Sequence, residues 1–162
     1  MIDETDRKLV ELLQADAHRS NQELAQEVGL TASSVFERVK KLEQRGIILG
    51  YGARVDAAKL GKPLLAFVRI SLGAGREESY SETLGKVSEI CAAEPDILEC
   101  HDVAGEDCLV LKLRAEGPKE LQRLLAAVRD RAGIARSVTS IVLSTLKESS
   151  AVACPKPGQT EE

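Results

Sequence analysis

Three apolar stripes at helical spacing occupy the first 46 residues, and only three residues separate the second stripe from the third. Each has a start and a stop signal. Asp3 can cap a helix that buries Leu9, Leu12 and Leu13. Ser20 precedes NQELAQEV, with Glu23 three residues on to complete a capping box and Leu24 and Val28 four apart on one face. Gly29 supplies the positive φ of a tight turn, Thr31 caps a third helix that buries Val35, Val39 and Leu42, and Gly46 closes it. Two helices joined by so short a Gly-containing turn have the helix-turn-helix form, whose second helix lies in the major groove of DNA.

On a 100° wheel, Ser33, Glu37, Lys40, Lys41 and Gln44 lie opposite the Val35, Val39, Leu42 stripe, with Ser34, Arg38 and Arg45 on the flank. Near the N-terminus of the helix, Thr31, Ser33, Ser34 and Glu37 are expected to face the DNA, the serines and Glu37 reading bases. Arg38, Lys40 and Lys41 are expected on phosphates. The same stripes fit a three-helix packing module with a solvated face. Net charge is −4, unlike many nucleic-acid binders, but the acidity lies in the second part of the chain. Residues 1–62 carry ten basic and ten acidic side chains, and 31–45 carry four basic against two acidic.

Four aromatic side chains in 162 residues (Phe36, Tyr51, Phe67, Tyr80) make a poor platform for stacking unpaired bases, so duplex DNA is the expected partner. No apolar run approaches the roughly 20 residues of a membrane span, and the N-terminus lacks a signal peptide's pattern. A cytoplasmic protein with no membrane partner is expected. Cys91, Cys100, Cys108 and Cys154 show no CxxC spacing, so no metal site or cofactor is expected.

The pattern changes after Gly46. IILGYGARVD reads as extended and AAKLGKP as a turn-rich link. From Pro63 strands and helices alternate: LLAFVRISL, a helix over 79–93 with the stripe Tyr80, Leu84, Val87, Cys91 ended by Pro95, and ILECHDVAG and CLVLKLRA around a short hairpin. A helix then starts at Pro118, buries Leu121, Leu124, Leu125 and Val128 and ends near Gly133; the last strand is SVTSIVLSTLK. The order βαββαβ predicts a ferredoxin-like antiparallel sheet covered by two helices. Along the last strand Val138, Val142 and Leu146 face one way and Ile141 and Leu143 the other, so neither face is fully polar. This predicts sheet-to-sheet dimerisation. The expected α+β organisation is a helix-turn-helix, winged-helix-like domain over 1–50, a linker over 51–62, a ferredoxin-like domain over 63–148 and a disordered tail over 149–162 with Cys154 exposed.

IDETDRKLVELLQADAHRSNQELAQEVGLTASSVFERVKKLEQRGIILGY, VAGEDCLVLKLR and TSIVLSTLKE together resemble the leucine- and asparagine-responsive (Lrp/AsnC, feast/famine) transcriptional regulators. The resemblance covers residues 2 to about 148. It implies a DNA-binding N-terminal domain and a C-terminal domain that dimerises, assembles further, often to octamers, and binds an amino acid or related effector. In that family the effector lies near the hairpin after the second sheet strand, which here is Val103, Ala104, Gly105, Glu106, Asp107. Glycine lets amides approach a ligand carboxylate, Glu106 or Asp107 can pair with its ammonium group, and Thr139 and Ser140 can add hydroxyls. The same Gly-Glu-Asp sequence also suits a plain turn.

No enzyme is expected. The strongest catalytic triplet, Cys100-His101-Asp102, falls on a strand, where adjacent side chains point to opposite faces. The remaining alternative is a stand-alone amino-acid-binding regulatory module of an enzyme that does not bind DNA.

Overall fold

A computed structural model describes residues 2–72, 79–105, 108–132, 134 and 136–154. The chain divides into two units, Met1–Arg54 with Lys147–Glu162, and Val55–Leu146.

The first unit contains α1 (Glu4–Ala15), α2 (Asn21–Val28) and α3 (Ala32–Gln44). Asp3, Ser20 and Thr31 stand in extended backbone before them and accept hydrogen bonds from the amides of Asp6, Glu23 and Ser34, the first two as capping boxes. Each cap satisfies an amide that has no partner within its helix and stabilises by about 1 kcal/mol. α2 stops at Gly29, whose φ of 68° is left-handed, and the amides of Gly29 and Leu30 both donate to the Ala25 carbonyl. The three apolar stripes converge as expected: Leu9, Leu24, Ala25, Val35 and Leu42 are buried, with Leu12, Leu13, Val28 and Val39 half-buried around them. Among the described residues this unit has no strand.

The second unit runs β1 (Leu64–Ser71), α4 (Tyr80–Ala93), β2 (Ile97–Asp102), β3 (Leu109–Ala115), α5 (Pro118–Ala132) and β4 (Arg136–Ile141). Its sheet has the order β2-β3-β1-β4 with every neighbouring pair antiparallel, the ferredoxin-like arrangement. The central strands β1 and β3 pair from Leu64 with Ala115 to Ile70 with Leu109. Ala66, Val68, Ile70, Leu109, Leu111, Leu113 and Ala115 form one buried face and pack with Val87 and Ile90 of α4 and Leu121, Leu124 and Val128 of α5. The opposite face carries Phe67, Arg69, Val110, Lys112 and Arg114, with Glu99 of β2 bridging Lys112 at 3.0 Å. Gly133, the expected stop of α5, lies outside the described residues.

Three expectations need correction. In α4 the buried residues are Thr83, Val87 and Ile90, a face rotated by about 60° from the expected stripe, while Tyr80 is exposed. Thr83 occupies a buried position because its Oγ1 donates to the Ser79 carbonyl at 3.3 Å. β4 is shorter than expected. The amide of Val142 donates to the Leu65 carbonyl at 2.9 Å, and β1 begins just after Pro63, which has no N–H to offer, so the ladder ends there. Leu143 and Leu146 are consequently 97% and 96% exposed and belong to neither sheet face. In the segment expected to be disordered, residues 149–154 are described, and the amide of Val152 donates to Gln14 Oε1 at 2.6 Å while Gln14 Nε2 donates to the Val152 carbonyl at 2.9 Å. A side-chain amide carries the donor and acceptor of a peptide group, so Gln14 stands in for a strand partner. Cys154 is half-buried rather than exposed, and burial pushes its thiol above the ordinary value. Residues 155–162 lie outside the described residues.

Candidate nucleic-acid interface

α3 owes its placement to the turn before it. Gly29 reverses the chain, Leu30 follows, and Thr31 opens α3 with its Oγ1 accepting from the Ser34 amide at 3.2 Å. The hydroxyls of Ser33 and Ser34 lie 3.1 and 2.9 Å from Thr31 Oγ1, so three hydroxyls gather at this end of the helix. No carboxylate stands in the first turn, leaving the positive end of the helix dipole uncompensated. Thr31, Ser33, Ser34, Glu37, Lys40 and Lys41 are all exposed. Lys40 and Lys41 make no ion pair among the described residues. Val35 and Leu42 are buried beneath, so packing fixes which side of α3 faces outward.

Arg38 is held differently. Its Nη1 donates to Asp3 Oδ2 at 2.6 Å and to Asp6 Oδ1 at 2.8 Å, both at the start of α1. The Asp6 amide and then the Arg38 guanidinium hold the Asp3 carboxyl below its usual range, and the two carboxylates raise the pKa of Arg38. A guanidinium satisfied in this way positions α3 against α1, whereas Lys40 and Lys41 stand exposed. A surface cleft between these helices is lined by Asp6, Ser34, Glu37, Arg38, Lys41, Leu42 and Arg45. Two features went unread in the sequence. The Asp3–Asp6–Arg38 cluster joins residues 35 and 32 apart with no local signal. Phe36, 51% exposed on α3, was visible on the wheel about 60° from Ser33.

The expected effector residues lie in the second unit. The hairpin begins at Val103, whose amide donates to the Cys108 carbonyl at 3.0 Å, and passes through Ala104 and Gly105; Glu106 and Asp107 lie outside the described residues. Just before it, Asp102 accepts a hydrogen bond from the Tyr80 hydroxyl, whose pKa is pushed up to about 12 by that carboxylate. Thr139 pairs opposite Val68, on the row of the buried face, and Ser140 opposite Phe67, on the other face. β1 separates β4 from the β2–β3 hairpin. Within one subunit β1 therefore lies between the strand that carries Thr139 and Ser140 and the strands that flank the hairpin.

No group of three or more His, Cys, Asp or Glu suited to a metal occurs among the described residues. No helix of the described chain is long and apolar enough to cross a membrane.

Comparison with known proteins matches residues 2–43 to the AsnC-type helix-turn-helix domain and residues 65–152 to the Lrp/AsnC ligand binding domain. The chain is 33% identical over 147 residues to the HTH-type transcriptional regulator FL11 of Pyrococcus horikoshii, covering 91% of this chain and 93% of the relative. It is 35% identical over 145 residues to the HTH-type transcriptional regulator LrpA of Mycobacterium tuberculosis, covering 89% and 91%. A feast or famine regulatory protein of M. tuberculosis, solved with L-methionine, superposes with a TM-score of 0.84 at 32% identity, covering 95% of this chain and all of that one. With both units matched in order and over nearly their whole length, the chain belongs to the Lrp/AsnC family and is a helix-turn-helix transcriptional regulator, not an enzyme.

Proposed function

We propose that this regulator inserts α3 of two subunits into successive major grooves, about 34 Å apart, and so recognises a palindromic duplex site. The observation that supports the reading is the Gly29–Thr31 turn and the buried Val35–Leu42 stripe, which together leave Ser33, Ser34, Glu37, Lys40 and Lys41 exposed on α3, the first three for base edges and the lysines for phosphates on this reading. Two lysines per subunit give about four neutralised phosphates per dimer, and log K then falls with log salt at a slope near −4. Dimers form through the second unit and assemble further, which would cover Leu143 and Leu146. The protein acts in the cytoplasm, where its DNA lies. Residues 51–62 connect a reader over 1–50 to a ligand-binding and assembly domain over 63–148.

The effector is an amino acid or a closely related molecule, bound near Val103–Asp107 where a second copy contributes Thr139 and Ser140. The relative's complex with L-methionine supports this class of ligand. Such a ligand alters DNA binding only by favouring one assembly over another, typically by about 1 to 3 kcal/mol. Fluorescence anisotropy on DNA upstream of the chain's own gene, with and without each of the twenty amino acids, tests the reading. Tight, salt-sensitive binding altered by one or a few amino acids is expected; absence of specific binding under every condition refutes it.

A further inference from the structure

We infer that Phe36 is a specificity-determining residue that reads the C5 methyl group of thymine in the major groove. The inference rests on the DNA-reading role of α3 and adds to it a residue outside the hydrogen-bonding set. Phe36 is the fifth residue of α3, in the N-terminal half of the helix that faces base edges. Its neighbours on that surface are Ser33 one turn before, Glu37 beside it and Lys40 one turn after, all exposed. The core of the unit closes beneath it through Leu9, Leu24, Ala25, Val35 and Leu42, and Phe36 is 51% exposed above it.

A phenyl ring offers no hydrogen bond to a phosphate or to the polar edge of a base. Among the groups displayed in the major groove, the thymine methyl is the apolar one, and phenylalanine is a side chain that contacts it. An aromatic residue set among serine, glutamate and lysine therefore gives α3 a way to favour A·T pairs that those side chains lack. Removing one buried methyl costs about fourfold in affinity, so removing it from both half-sites costs roughly fifteenfold.

The experiment first selects sites from a random duplex library with the full-length protein. Each thymine of the selected half-site is then replaced in both halves by deoxyuridine, which deletes only the methyl, and Kd is measured for wild type, Phe36→Ala and Lys40→Ala. At one thymine per half-site, wild type and Lys40→Ala should lose roughly fifteenfold and Phe36→Ala less than about twofold. Two outcomes overturn the inference while leaving the regulator reading intact: specific binding indifferent to deoxyuridine at every thymine, or equal methyl sensitivity in Phe36→Ala. A Phe36→Ala protein whose DNA-free association weakens while wild-type binding ignores the methyl would assign the ring to a subunit contact and also overturn it. Failure to select any specific site overturns both readings. Circular dichroism checks that Phe36→Ala remains folded.

Discussion

Replacing Arg38 with methionine separates two roles that a basic residue on a reading helix can have. Met keeps much of the aliphatic stem and removes the charge-assisted hydrogen bonds to Asp3 and Asp6. The Asp3 side chain is 53% exposed, so that arm is screened and worth at most about 1 kcal/mol. Asp6 is 13% exposed, and the arm to it carries most of the remainder. Together the loss should be about 1 to 2 kcal/mol of stability in the first unit. Urea denaturation followed by helix signal should show it, with a smaller difference between the proteins in 1 M salt. The Asp3 carboxyl titrates below its usual 3.8 in the folded chain, so this stabilisation is complete above that pH and is lost as pH falls through the lower folded value. The part of the difference between wild type and Arg38→Met that comes from the Asp3 arm should therefore narrow only as pH falls below 3.8. DNA binding gives the decisive measurement. On the proposed reading Lys41→Ala should remove two phosphate contacts per dimer and make the salt slope shallower by about 1.8. Arg38→Met should weaken binding at every salt concentration yet leave the slope unchanged. A slope change as large as that of Lys41→Ala would refute the positioning role and put the guanidinium on a phosphate.

Gly29→Ala meets no atom within 4 Å of its new Cβ, so its cost is that of placing an L-residue at φ 68°, about 1 kcal/mol, read as a lowered Tm. Leu124→Ala, fully buried between α5 and the sheet, should destabilise the second unit by about 2 to 5 kcal/mol in chemical denaturation. Burial and the neighbouring Cys100 thiol push Cys91 up to about 12, so iodoacetamide at pH 8 should modify exposed Cys100 well before Cys91, followed by mass spectrometry of a Glu-specific digest. Faster labelling of half-buried Cys91 would show that its thiol is not shielded from the reagent.

What could be read from the sequence was chiefly what short stretches of chain decide for themselves. Asp3, Ser20 and Thr31 cap helices because their acceptors lie within three residues of the amides they satisfy, and Gly29 ends α2 through its own backbone freedom. The order βαββαβ likewise announced an antiparallel sheet covered by two helices. Periodicity failed where a polar side chain found a private partner: Thr83 is buried because of the Ser79 carbonyl, and Tyr80 stays exposed with its hydroxyl on Asp102. The length of β4 depended on where β1 begins, many residues earlier in the chain. For the interface, the wheel placed Ser33, Glu37 and Lys40 outward because Val35 and Leu42 had to be inside. The same wheel could not foresee that two aspartates of α1 would hold Arg38.

The pairing of Gln14 with Val152 bears on how the reader must be made and dissected. The first unit is assembled from both ends of the chain, with Val55–Leu146 inserted between them. On a ribosome adding roughly 5 to 20 residues per second, α1 waits about 7 to 28 s for the residue that Gln14 will hold, 138 positions later, while the intervening unit is made. A fragment stopped at Arg54 is thus a reader lacking its final segment. The faithful isolated form is an excision, with Arg54 rejoined through a short linker to Lys147.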